Sequence, residues 1–245
     1  MIRTLALWLS VVLLTSTLAQ ADIVTSLRGY WKFDESSGTA ADSSGNGNAG
    51  TLTSGAVFGT GKVNGGVVLN GTTAYVAVGN VTALQITGTA LTLAAWVRID
   101  GNAGGSAGDY HQVVGKDAGA SYDYRLLLDN NRSVLLFQGA GVSVSSTTFT
   151  AFTLGTWHHV AAAFNGSSVA FYVDGVARGT PAGAGTLSNG GYGVAMGRTA
   201  GTNIYQFNGA IDEVRIYARV LASGDVTELV NFVDTVVARR RAIVY

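Results

Sequence analysis

The 245-residue chain contains no cysteine. That excludes a disulfide framework, a thiolate zinc site and a thiol nucleophile. It has one proline, Pro181, and only 12% charged residues, and its 15 basic and 15 acidic side chains cancel. A zero balance leaves no electrostatic footprint for nucleic acid or an anionic membrane. Few charges beside 47% hydrophobic residues argue against disorder and for a packed core. The length suits one all-β domain or at most two small ones. Past residue 21 no apolar run is long enough to cross a bilayer as a helix.

The first 21 residues stand apart. Arg3 gives a positive start, Leu5 to Leu14 form an apolar run, and Ala19-Gln20-Ala21 is a small-x-small cleavage signature. The pattern predicts a secretory signal over 1–21, cleaved before Asp22, and hence a secreted protein that is not integral to the membrane. An uncleaved anchor is the alternative. A secreted chain without cysteine must draw its stability from packing or from a bound metal.

What is abundant is glycine, with 34 residues, among many Thr, Val and Ala. Short β-branched or aromatic runs between glycine-rich turns predict strands. They fall at Gly29–Glu35, Leu91–Ile99, His111–Lys116, Tyr122–Asp129, Ser133–Gln138, Gly141–Thr148, Gly190–Gly197 and Phe207–Tyr217. Leu91–Ile99 is almost continuously apolar, as suits a central strand covered on both faces. Gly66–Asn70 and Ala74–Val78 flank Gly71-Thr72-Thr73 and read as a hairpin. Trp157–Phe164 is expected to pair with Val169–Val173, and Asp174-Gly175 to turn tightly into Val176–Arg178. One helix is expected over Ala222–Val230, with its acidic residues early, where the helix dipole favours them. Residues 233–245 read as a tail carrying the solvated run Arg239-Arg240-Arg241. Gly104-Gly105-Ser106-Ala107-Gly108 matches G-x-S-x-G, but no helix follows it, so it does not read as a nucleophile elbow. Many short, evenly spaced strands imply a sandwich or barrel.

Strand alternation sharpens the last strand, Phe207-Asn208-Gly209-Ala210-Ile211-Asp212-Glu213-Val214-Arg215-Ile216-Tyr217. Side chains alternate faces, so Asp212 should share a face with Val214 and Ile216. Glu213 should share one with Arg215, where the two can pair in solvent. An acid in an apolar row needs a partner, because burying an unpaired charge is costly.

Several motifs, in order along the chain, resemble a known family. They are Tyr30-Trp31-Lys32-Phe33-Asp34-Glu35-Ser36-Ser37-Gly38, Asp42-Ser43-Ser44-Gly45-Asn46-Gly47-Asn48, Leu93-Ala94-Ala95-Trp96-Val97 and Gly155-Thr156-Trp157-His158-His159-Val160-Ala161. Tyr172-Val173-Asp174-Gly175, Gly209 to Tyr217 and Leu221-Ala222-Ser223 complete the set. From about Leu27 to Val230 the chain resembles the laminin-G-like domains of the concanavalin A-like lectin/glucanase superfamily. The resemblance implies an antiparallel two-sheet jelly-roll sandwich over 22–232, all-β apart from one short C-terminal helix. It implies that the first and last strands lie close together, and often a structural calcium ion near one edge. It also implies carbohydrate-binding or adhesive function, with glycoside hydrolases and lyases among the relatives.

The residues themselves offer a place for such an ion. Asp42, Ser44 and Asn46 put oxygens at alternate positions before Gly47, like the first half of a calcium loop. One carboxylate is too little charge, so the loop needs an acid from elsewhere, and Asp212 needs a cation. Asp42, Asn46, Asn48, Asp212 and Glu35 are the expected ligands of Ca²⁺. The alternative is a metal-free corner in which Asp42 and Asp212 accept backbone N–H groups of that loop.

Three functions are compatible with these features. Tyr110, Tyr122, Tyr124, Tyr192 and Tyr205 lie at or near strand ends, with Asp109, Asn130, Asn203 and Gln206 nearby. Tyr offers a stacking face and a polar end, which suits a partly wet carbohydrate site. Each Tyr can equally be a rim residue of the core. Trp31, Trp96 and Trp157 read as core, and His158 and His159 as structural. An adhesive, protein-binding domain is the second reading. The third, a glycosidase or lyase, lacks a pair of carboxylates on one strand face. The expected product is a non-catalytic carbohydrate-binding module.

Overall fold

The computed structural model describes residues 23–104 and 110–232. The predicted signal, the G-x-S-x-G stretch after Gly104, Asp109 and the tail therefore lie outside the described residues. No helix among the described residues is long and apolar enough to cross a membrane.

Strands dominate. In chain order they are β1 (Leu27–Trp31), β2 (Thr51–Thr53), β3 (Val57–Val63), β4 (Gly65–Asn70), β5 (Tyr75–Gly79), β6 (Leu91–Ile99), β7 (Tyr110–Ala118) and β8 (Ser121–Asp129). Then follow β9 (Leu135–Gly139), β10 (Val142–Ser145), β11 (Trp157–Phe164), β12 (Val169–Val173), β13 (Val176–Ala177), β14 (Val194–Met196) and β15 (Asn208–Tyr217). One α-helix, α1, covers 223–232. The strands form two antiparallel sheets, as the sequence predicts. The eight-stranded sheet runs β13-β12-β11-β6-β15-β4-β3, with β1 also on β15, and the seven-stranded sheet runs β10-β9-β8-β7-β14-β5-β2.

Between the sheets lies one continuous core that includes Trp31, Phe33, Leu93, Val97, Val113, Leu126, Phe137, Phe164, Phe171, Ile211 and Ile216. A second cluster forms where α1 covers the outer side of the eight-stranded sheet. There Leu221, Val226 and Leu229 pack on Ala94, Ala161, Tyr172 and Tyr217. Being covered on both faces explains the nearly unbroken apolar run of β6.

One expectation about the strands fails, and two strands were not foreseen. Gly66–Asn70 and Ala74–Val78 do not form a hairpin, because β4 lies in one sheet and β5 in the other. Asn70 Oδ1 accepts the N–H groups of Thr72, Thr73 and Ala74 at 2.9–3.0 Å and turns the chain across the sandwich. Strands β2 and β3 are absent from the sequence reading. In β3, Val57-Phe58-Gly59-Thr60-Gly61-Lys62-Val63, glycine breaks the propensity pattern. Gly61 is there for close approach: a Cβ would stand 1.7 Å from the Gly65 carbonyl oxygen.

The last strand also departs from simple alternation. β15 pairs along its length with β6, and on its other edge with β4 through residues 208–211 and then with β1. A bulge lies between Asp212 and Arg215, and Glu213 has φ 53°. Asp212 is opposite Trp96, and cross-strand partners share a face. Asp212 therefore lies on the outer face with Trp96, not in the row of Val214 and Ile216. A bulge adds a residue and resets the parity on either side.

Candidate functional site

The polar feature that the fold assembles most fully is on the outer face of the seven-stranded sheet. On β8, Tyr124 and Leu126 point into the core, so Arg125 between them points out. Its side chain is nonetheless only 3% exposed. Arg125 Nε donates to Gln138 Oε1 at 2.7 Å, and Nη1 donates to the Gly119 carbonyl at 3.0 Å and to Asp117 Oδ2 at 3.4 Å. Two tyrosine rings cover the guanidinium: Cζ lies 4.4 Å from the Tyr122 centroid and 5.0 Å from that of Tyr205. Tyr110 meets Tyr205 edge to face at 5.9 Å.

Asp117 anchors this group from β7. It is fully buried, and Oδ1 accepts the Ala200 N–H at 3.1 Å and the Gln112 amide at 3.5 Å. Burial pushes its carboxyl up to about 6, against the pull of Arg125 and of these hydrogen bonds. Gln112 in turn donates to the Arg198 carbonyl and accepts the Thr199 hydroxyl. Gly115 leaves the room: a Cβ there would stand 2.8 Å from both Arg125 Cβ and Gln112 Nε2. The cluster is rigid below and open above, because Tyr110, Tyr122 and Tyr205 are only half-buried. The surface presents aromatic faces and the half-buried Gln138 amide over a buried cation.

Of the five expected tyrosines the structure brings together three. Tyr124 is a correction: it is fully buried in the core, and its hydroxyl donates to the Leu84 carbonyl. Tyr192 belongs to a different cluster. Its carbonyl accepts Lys116 Nζ, which also reaches Asp123 and Asn189. Among the polar candidates, Asn203 holds Arg198 at 2.8 Å, and Arg198 lies 3.9 Å over the ring of Tyr75. Asn130 accepts the Ala103 N–H, and Gln206 is buried with its amide on the Asn203 carbonyl. Arg125, Asp117, Gln112 and Gln138 are absent from the sequence reading. The signal for them was an acid and an arginine inside strands that are otherwise buried.

The expected calcium ligands separate into two places. Both oxygens of Asp42 are engaged by N–H groups: Oδ1 by Tyr30 and Ser44 at 3.0 and 2.9 Å, and Oδ2 by Asn48 at 3.0 Å. The amides of Asn46 and Asn48 donate to the Arg28 carbonyl at 3.1 and 2.7 Å. Glu35 Oε1 accepts the Ala41 N–H. The 42–48 corner thus has its Asp42 oxygens on N–H groups, in part as the hydrogen-bonded alternative expects. Asp212 does not join it. Instead Oδ2 accepts the Val63 N–H at 2.9 Å, from the end of β3. Oδ1 of Asp212 is buried without a partner of good hydrogen-bond geometry, although the Val63, Glu213 and Lys62 N–H groups bear on the carboxyl and oppose the burial that pushes it up to about 8. Such an incompletely satisfied oxygen has room for a cation. Among the described residues, no three His, Asp or Glu side chains group to hold a metal ion, so other ligands would be neutral oxygens.

Glu213 and Arg215 do pair, but not in solvent. The contact is 2.6 Å between side chains 4% and 3% exposed. The Tyr30 hydroxyl joins it, donating to Glu213 at 2.6 Å and accepting from Arg215 at 2.7 Å. His159 is fully buried, edge to face with Trp96, and burial lowers its pKa to about 3. Neither of its ring nitrogens has a hydrogen-bond partner among the described residues. Trp31 and Trp96 are buried, whereas Trp157 is only half-buried, under Arg98.

A family model described as the concanavalin A-like lectin/glucanases superfamily matches residues 70–227. No curated protein matches the chain. Among solved structures, domain 4 of AbnA, a GH43 extracellular arabinanase from Geobacillus stearothermophilus, is similar with a TM-score of 0.65. It is 23% identical, covering 84% of this chain and 98% of the domain, and was solved in complex with arabinotriose. The binding domain of Paraclostridial Mosquitocidal Protein 1 has a TM-score of 0.68 at 16% identity over 86% of this chain. The binding domain of Botulinum Neurotoxin DC in complex with SialylT has 0.60 at 13% identity, again over 86%. This chain spans about half the length of the two toxin binding domains, 53% and 52%. Identities this low show a shared fold.

Proposed function

We propose, from the premise that this chain belongs to the concanavalin A-like lectin/glucanases superfamily, that it is a non-catalytic carbohydrate-binding module. The observation that carries the reading is the tyrosine-flanked Arg125 on the outer face of the seven-stranded sheet. Sugar rings stack on aromatic faces by their C–H surfaces and use their hydroxyls on charged and amide groups. Tyr110, Tyr122 and Tyr205 supply the faces. The half-buried Gln138 supplies a polar group beside them, and the buried Arg125, Asp117 and Gln112 hold the face in place. The similar arabinanase domain in complex with arabinotriose supports a saccharide as ligand. The test is a glycan array that includes arabino-oligosaccharides, run with the wild type and Tyr205→Ala. Saccharide binding weakened about tenfold, equal to about 1.4 kcal/mol, is the expected result. A folded protein that binds nothing on a broad panel would favour the adhesive, protein-binding reading.

Calcium in this reading belongs at Asp212 and not at Asp42. A cation beside the incompletely satisfied Oδ1 would remove the cost of burying that charge, and it would join β15 to the end of β3. Binding to the native state alone raises stability by mass action. Millimolar Ca²⁺ should raise the melting midpoint, EDTA should reverse it, and Asp212→Asn should abolish the response. An unchanged midpoint in the wild type would remove the ion. Secretion is part of the same proposal, and N-terminal sequencing of exported protein is expected to begin at Asp22.

A further inference from the structure

At the β12–β13 end of the eight-stranded sheet, residues 149–156 and the turn after β12 line an open cavity of about 270 Å³. Its lining includes Phe149, Phe152, Thr153, His158, Asp174 and Arg178. We propose that this cavity is a second binding site, in which Arg178 takes the carboxylate or sulfate group of an acidic sugar. It is independent of the Arg125 face.

Arg178 carries the argument. Its Nε is buried and has no hydrogen-bond partner. The guanidinium lies 5.9 Å from the Phe149 ring centroid, a contact that satisfies none of its N–H donors. Leaving a buried donor unmade costs free energy. An anion supplies what is missing, and a planar guanidinium grips carboxylate or sulfate oxygens through two parallel hydrogen bonds. The backbone at this position is fixed. The Arg178 N–H donates to the Phe171 carbonyl at 2.7 Å, and its carbonyl accepts the Thr147 N–H at 2.8 Å.

The carboxylate in the lining is committed elsewhere. Asp174 Oδ2 meets His158 Nδ1 at 2.8 Å, and Oδ1 accepts the His159 N–H at 2.8 Å. The Asp174-Gly175 turn, with φ of 50° and 77°, aims it there. Burial alone would raise this carboxyl, but the His158 and His159 hydrogen bonds outweigh burial and hold it below its ordinary value. Asp174 is therefore an ionised partner for His158. The rest of the lining suits a sugar ring. Phe152 stacks on the His158 imidazole, with centroids 4.0 Å apart and planes within 10°. Thr150, Thr153 and Thr156 are exposed at the rim, where their hydroxyls can exchange hydrogen bonds with a polyol. The volume lies just below the range for drug-sized ligands, as fits a single acidic sugar unit.

The test titrates the full chain with glucuronate, glucose 6-sulfate and glucose, following the imidazole resonances of His158 by NMR. Saturable shifts with either acidic sugar, and none with glucose, are expected. The relative response to glucuronate and the sulfate tells which anion is preferred. Arg178→Gln should weaken binding at least tenfold and Arg178→Lys less, with Tyr205→Ala leaving it unchanged. Equal responses to glucose and glucuronate in the wild type would overturn the proposal, whatever the variants' stability. So would undiminished glucuronate binding by a folded Arg178→Gln protein. Loss of neutral-saccharide binding by Tyr205→Ala bears only on the Arg125 face, so the two sites fail separately.

Discussion

The protein uses one combination of side chains twice, to different ends. In the first, on β1 and β15, Arg215 pairs with Glu213, and Tyr30 covers the guanidinium at 4.0 Å. In the second, on β7 and β8, Arg125 pairs with Asp117 under Tyr122 and Tyr205. Both pairs are almost completely buried. They differ in the polar end of the tyrosine. The Tyr30 hydroxyl is used internally, bonded to both members of its pair. Burial raises its pKa, with Arg215 opposing. The rings over Arg125 are half-buried at the surface. A guanidinium whose tyrosine faces inward joins two ends of the chain. One whose tyrosines face outward can offer them to a ligand. Under the proposed function, the first cluster serves stability and the second recognition.

The largest effect that would break this comparison lies in the closed cluster. Arg215→Met leaves Glu213 and the Tyr30 hydroxyl buried without their cation. Removing one partner of a buried pair costs about 3–5 kcal/mol, so chemical denaturation should show a loss of that size. A loss no larger than that of a surface substitution would mean that water reaches Glu213 and the cluster is not closed.

A pair of smaller changes sharpens the same contrast. Tyr30→Phe deletes a hydroxyl with two buried partners and should cost about 1–3 kcal/mol of stability. The matching change, Tyr205→Phe, should leave the melting midpoint nearly unaltered and act on saccharide affinity. If both substitutions moved stability alike, Tyr205 would be a rim residue of the core and not part of a binding face.

Much of the fold was legible because its signals are local. Trp157–Phe164 and Val169–Val173 have the bounds that their β-branched and aromatic runs predict, and they pair as expected. The Asp174-Gly175 turn has positive φ at both residues. The failures are equally physical. In β3, glycines chosen for close packing against Val68 and Gly65 look like loop glycines in sequence. The face of Asp212 was misread because no residue type announces a bulge, and one extra residue moves a carboxylate to the other side. Tyr124 and Tyr122 look alike in sequence, yet one is in the core and the other on the surface. The proposed binding face needed β7, β8, β9 and the segment after β14 to be brought together. Only its tyrosines were visible beforehand, while the arginine between them was not.

The finest distinction between the clusters concerns protonation. Burial raises the Asp117 carboxyl from 3.8 to about 6, with Arg125 opposing at 3.4 Å. A raised native pKa means that the folded state holds the proton more tightly than the unfolded chain. The resulting contribution to stability is fully present below about pH 4 and is lost as pH rises to about 6. Asp117→Asn removes this linkage. Melting midpoints of wild type and variant should therefore converge or cross in the variant's favour between pH 4 and 6, and their difference should be constant above. A rise from 3.8 to about 6 corresponds to about 3 kcal/mol at most, and the pH dependence is the readout, because loss of the ion pair offsets the two midpoints by an amount that does not vary with pH. A difference that is flat from pH 4 to 8 would show that Arg125 keeps the carboxylate ionised throughout. The open pair would then be as firmly charged as an ion pair can be, and only its tyrosines would separate it from the closed one.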